Sequence, residues 1–201
     1  MRYFFLAASV LLIVYLGAPA FLLYRDQPVK SDAVLLMVGF DNQSKEKRAE
    51  ELIQSGYADT LIIPAWMQVY EFRGGALVKR KALTDLQPQK APGQWKKWLV
   101  KCPENTHIEL HRGFVLMDRL GLESAIVLSS PYHMRRIKII ATSLNTRGMK
   151  FIFVPSDPSK GFDPLWIFDL EQLKWISTEY AKILWFFIYS PFVDFQKMVK
   201  I

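Results

Sequence analysis

Hydrophobic positions fall into two kinds of run along this chain. The first comes at the start: from Tyr3 to Tyr24 there is no charge, with Arg2 before the stretch and Arg25 and Asp26 after it. A helix needs about 20 apolar residues to cross a bilayer core, so the stretch predicts a transmembrane helix. The rival is a cleaved secretory leader, since Ala18-Pro19-Ala20 has the small residues of a cleavage site. The apolar run continues through Phe21 to Tyr24, which favours an uncleaved anchor over residues 1–25 and a domain over 26–201. Basic residues flank both ends, so charge does not orient the span.

The second kind is short and continuous. Ala33 to Val38 has no polar alternation, as expected of a strand buried on both faces. A turn at Gly39 to Asn42 leads to a helix over 44–55, with Ala49, Leu52 and Ile53 at helical spacing and Gly56 as its stop. Thr60 to Ile63 gives the next strand, so the order predicts a right-handed βαβ unit with parallel strands. Residues 64–103 break this rhythm and read as an insertion. Within it, Met67–Phe72 and Ala76–Lys81 flank Arg73-Gly74-Gly75, a hairpin signal.

The rhythm then resumes with a helix from about His107 to Leu120, a strand over 124–128, a helix from about Tyr132 to Asn145, a strand over 151–154 and a last helix from near Asp169 toward Phe187. The end of that helix, Ile183 to Tyr189, is apolar but too short to span. The stretch either lies on a membrane surface or packs on the sheet, and with Lys197 and Lys200 beyond it segment 183–201 suits a tail at the membrane surface. The fold class is α/β: a Rossmann-like three-layer sandwich with a mostly parallel sheet, plus the N-terminal transmembrane helix.

Composition narrows the partners. A net charge of +7 favours anionic ones: membrane lipids, a phosphorylated small molecule or a lipid-linked phosphate. The basic residues are scattered and interleave with no aromatic recognition module, which argues against nucleic acid. Cys102 is the single cysteine, which excludes an internal disulfide and a cysteine metal cluster. His107 and His111 stand four apart with no third ligand at matching spacing, so no metal site is expected. Neither Gly-x-Gly-x-x-Gly nor Gly-x-Ser-x-Gly occurs, and no cofactor is indicated.

In a parallel sheet, four segments converge on one rim: Gly39 to Asn42, Pro64 to Trp66, Glu104 to Thr106, and Ser129 to Arg136. They bring together Asp41, Glu104, Asn105, Thr106, Ser129, Ser130, Tyr132, His133 and Arg135, a mixture that binds phosphate and moves protons. Ser130-Pro131 also reads as a helix start, and Thr106 to Glu109 as a capping box. Arg135 and Arg136 project about 100 degrees apart on a helix, and Arg135 is the one expected to face the crevice.

The run Ser129-Ser130-Pro131-Tyr132-His133-Met134-Arg135-Arg136, with Asp32-Ala33-Val34-Leu35 leading to Gly39, Arg48-Ala49 and Glu104-Asn105-Thr106, resembles the YdcF/SanA/ElyC family of bacterial envelope domains, whose activity is largely undetermined. The resemblance covers about Asp32 to Val154. It implies a single-pass inner-membrane protein with a periplasmic domain, acting in peptidoglycan-precursor or polyprenyl-carrier metabolism. On that reading Arg48 and Arg135 clamp phosphate, Glu104 orients His133, and His133 transfers a proton. The chain departs from the family pattern at Val38-Gly39-Phe40, Pro64-Ala65-Trp66 and Ile108-Glu109-Leu110. These departures keep two rivals open: a non-catalytic envelope scaffold, and a cytoplasmic nucleotide or S-adenosylmethionine binder.

Overall fold

The computed structural model describes residues 2–39, 41–80 and 105–192. Among them are six strands in one sheet: β1 (Ala33–Leu36), β2 (Thr60–Ile63), β3 (Gln68–Arg73), β4 (Ala76–Lys79), β5 (Ser124–Ser129) and β6 (Lys150–Pro155). The helices are α1 (Arg2–Leu22), α2 (Asn42–Gln54), α3 (Asn105–Leu120), α4 (Met134–Leu144) and α5 (Leu170–Tyr189). Short 3-10 turns at Pro64–Trp66, Pro131–His133, Trp166–Phe168 and Ser190–Phe192 join or extend them.

The sheet runs β4-β3-β2-β1-β5-β6. Strands β2, β1, β5 and β6 are parallel, and β3 and β4 add an antiparallel edge beside β2. The predicted hairpin is that edge. Gly74 and Gly75 both have positive φ, 59° and 85°, which a two-residue hairpin turn requires. The chain order reverses between β1 and β5, so the crevice at their carboxyl ends is the switch point at which open α/β sheets take ligands.

Period-two alternation in the buried strands splits the core in two. Leu35, Met37, Val127 and Phe153 face α3 and α4, packing with Leu110, Leu116, Ile137 and Ile140. Val34, Leu36, Ile126 and Val154 face the other way, onto Ala49, Leu52 and Ile53 of α2. This is an α/β/α sandwich, consistent with the Rossmann-like expectation. Gly113 lets α3 lie against the sheet, because a Cβ there would come within 2.8 Å of Leu35 Cδ1. A side chain at that position would force Leu35, or the helix itself, to shift.

α1 docks through its last two turns. Tyr15 stacks on Trp166 at 5.6 Å, the Tyr180 hydroxyl donates to the Ala18 carbonyl at 2.8 Å, and Leu22 is buried with Ile176 and Ile183. α1 and α5 therefore run in the same sense. The turn before α5 exposes Leu165, Ile167 and Phe168, and Leu170 is exposed at the start of the helix. The 20 residues of α5, at about 1.5 Å each, put exposed Leu184, Trp185, Phe187 and Ile188 near its far end. Among the described residues no helix is long and apolar enough to cross a membrane. Glu104 and Cys102 lie outside the described residues, as do Lys197 and Lys200 of the tail.

Candidate functional site

A cavity of about 580 Å³ opens at the carboxyl ends of β1, β5 and β6. Its floor comes from the strand ends: Asp41 after β1, Ser130 after β5 and Ser156 after β6. One wall is the start of the helical stretch that leads into α4, with Tyr132 and His133. The lining continues through loop 157–163 and the first turns of α5, including Phe162 and Trp175. Tyr132 packs on Phe162 at 4.7 Å, and Trp175 lies edge-to-face with the His133 ring at 6.0 Å.

Behind His133 is a buried charge cluster. Its Nδ1 lies 2.9 Å from Glu179 Oε1, and Arg136 Nε donates to Glu179 Oε2 at 2.8 Å. Arg136 Nη1 also donates to Thr106 Oγ1 at 2.6 Å, tying α3 to α4. Lys182 Nζ completes the set, 3.6 Å from Glu179 Oε1. A carboxylate only accepts, so Nδ1 carries a proton and donates it; the Arg136 Nη2 contact at 3.4 Å is then a neighbour without a hydrogen bond. This fixes the tautomer and leaves Nε2 as the basic nitrogen of the neutral ring. Burial raises the Glu179 carboxyl pKa, but the hydrogen bond from His133 and the charge and hydrogen bonds of Arg136 outweigh it and hold the group at about 2.

Among the described residues, the lining holds one buried polar atom without a hydrogen bond. Ser156 is 8% exposed, lines the cavity, and its Oγ is a buried hydroxyl lacking a partner. Such groups are uncommon in native proteins because an unmade hydrogen bond is unfavourable. Asp41, also on the floor, takes the left-handed conformation at φ 61°, which aspartate tolerates better than most residues.

The expected site residues divide. Asp41, Ser130, Tyr132 and His133 line the cavity, and Ser129 is buried at the end of β5 beneath it. Thr106 reaches the cluster only through Arg136. Ser130 occupies the N-cap position before Pro131, but its side chain makes no cap hydrogen bond. Glu109 turns away from the capping box: its Oε1 accepts from the Val38 amide at 2.7 Å. Arg135 does not face the crevice. Its Nε donates to the Phe21 carbonyl at 2.7 Å, and its guanidinium lies over the rings of Phe21 and Tyr24, so it clamps α1. Arg136, one helical step on, holds the inward place. Arg48 pairs with Glu51 at 2.9 Å on α2 and does not line the cavity. Asn105 is exposed at the first position of α3, and Pro64 to Trp66 pack away from the cavity.

Sequence reasoning missed Glu179, Ser156, Phe162 and Trp175, and chose Arg135 over Arg136. A signal for Glu179 was present. It stands in the stripe Ile176, Glu179, Ile183, Phe186, the buried face of α5, where a lone acid implies a buried cation. No family model, curated protein or solved structure matches the chain.

Proposed function

We propose that this is a membrane-tethered α/β domain of the bacterial envelope whose strand-end cavity binds a small molecule and exchanges a proton with it through His133. The observation that carries the reading is the 2.9 Å contact between His133 Nδ1 and Glu179 in the cavity wall. An imidazole held in one tautomer by a buried carboxylate is how proteins prepare a proton-transfer group. His133 acts as the base, Glu179 and Arg136 position it, and the aromatic wall limits water. Envelope and peptidoglycan-precursor chemistry is the setting that the family resemblance suggests.

The tether rests on the uncharged stretch from Tyr3 to Tyr24 and on the exposed apolar turn beside α1. If the first half of α1 enters a bilayer, Leu165, Ile167, Phe168 and Leu170 face the lipid. The apolar end of α5 then stands about 25 Å away along the helix. The phosphorylated or lipid-linked ligand keeps the tether and the helix start in its favour, but its expected arginine clamps are engaged elsewhere.

Mass spectrometry of small molecules retained by the purified full chain tests the site. A retained species should be lost in His133→Ala and kept in Arg135→Ala, and equal retention in both variants contradicts the reading. A reporter fused after Tyr24 tests the compartment, and a cytoplasmic result removes the envelope setting.

A further inference from the structure

The charges around the cavity differ from those of the chain as a whole. The sequence carries a net charge of +7, but the lining contributes four carboxylates, Asp41, Asp157, Asp163 and Glu171, against one lysine ammonium, Lys160. Those acids do not form a metal site: among the described residues no group of three or more histidine, cysteine or acidic side chains is placed to hold an ion. They share the lining with an aromatic surface of Tyr132, Phe162 and Trp175. The Lys160 ammonium already lies 5.6 Å from the centroid of the Tyr132 ring. An aromatic face attracts a cation through its quadrupole, and nearby carboxylates add long-range attraction. An anionic group would meet the same four carboxylates as repulsion.

We infer that the cavity takes an organic cation: a ligand whose ammonium group sits against Tyr132 and Trp175 among the carboxylates. The inference rests on the proposed site and names the ligand class for it. Such a ligand displaces Lys160 from the face of Tyr132.

The test titrates the full chain in detergent with choline, with its uncharged isostere 3,3-dimethylbutan-1-ol and with inorganic phosphate, following the Trp175 indole and His133 ring signals by NMR. Choline should shift both saturably and bind at least tenfold more tightly than the alcohol, and phosphate should shift neither. Lys160→Gln should strengthen choline binding, and Glu171→Gln, on the exposed rim, should weaken it. The inference is overturned if the alcohol binds as well as choline, or if phosphate shifts the signals; the cavity would then remain a site for another ligand class. If no probe moves either signal, the proposed site fails along with the inference.

Discussion

Two clusters of buried charge lie near the strand ends, and they are built in opposite ways. Under the cavity, Glu179 is in direct contact with Arg136 and His133, and its carboxyl is held at about 2. Beside β1, Lys45 and Glu109 are buried as deeply, at 1% and 8% exposure, but each bonds to the strand backbone: Lys45 Nζ donates to the Met37 carbonyl at 3.2 Å and Glu109 accepts from Val38 N–H. Burial pushes Glu109 up to about 7 despite that hydrogen bond and the charges of Lys45, Arg112 and Arg136, and burial lowers Lys45 against the pull of Glu109 and the acids Asp41 and Glu46. Contact pairing keeps charge in the interior, whereas a single backbone hydrogen bond leaves each group tending toward neutrality. The first arrangement suits a site that needs a fixed dipole behind a histidine. The second suits a scaffold position that tolerates substitution.

The sharpest break of the contrast is removal of one partner from the paired cluster. Glu179→Gln leaves Arg136 buried without its counter-charge and should destabilise the fold by about 3 to 5 kcal/mol in urea unfolding. Lys45→Met keeps volume and removes an ammonium whose charged form burial disfavours, so its effect should stay within about 1.5 kcal/mol. Equal losses in the two variants would erase the distinction.

Acid and alkali separate the clusters further. Glu179 has a lowered pKa, so its contribution is present above pH 4.5 and is lost as pH falls through about 2. Glu109 has a raised pKa, so its contribution is complete below pH 4.5 and is lost as pH rises through about 7. His107, packed against Phe186 and bonded to the Tyr189 hydroxyl, adds a third window: burial, with a smaller push from His111, lowers it to about 4, so stability falls as pH drops from 6.5 through about 4. Thermal unfolding at several pH values should show Glu109→Gln flattening the limb near neutrality and leaving the limb below pH 4 unchanged. The smallest effect belongs to the cavity floor. Ser156→Ala deletes an unpaired buried hydroxyl and should stabilise the empty protein by about 1 kcal/mol, a gain visible in melting temperature.

Legibility in the sequence followed the same division. Continuous runs such as Ala33 to Val38 and Ser124 to Leu128 announced central parallel strands, and Gly74-Gly75 announced the hairpin, because burial on both faces and positive φ each leave a local mark. The rim was also legible where it depends on strand ends: Asp41, Ser130, Tyr132 and His133 converge because parallel strands require it. Glu179 was not found there because it comes from α5, whose position over α4 is set by packing between distant segments. Arg135 and Arg136 show the limit of local reading. Their angular separation is fixed by the helix, but which of them turns inward depends on Phe21 of α1 and Tyr24 just beyond it meeting one and α5 offering Glu179 to the other.

The most direct test of the His133 and Glu179 pairing is the ring tautomer of His133, read by nitrogen-15 NMR on the neutral imidazole of the full chain. The arrangement predicts a proton on Nδ1 and a bare Nε2, with a shift of that equilibrium in Glu179→Gln. A proton on Nε2 and a bare Nδ1 in the unsubstituted protein would contradict it.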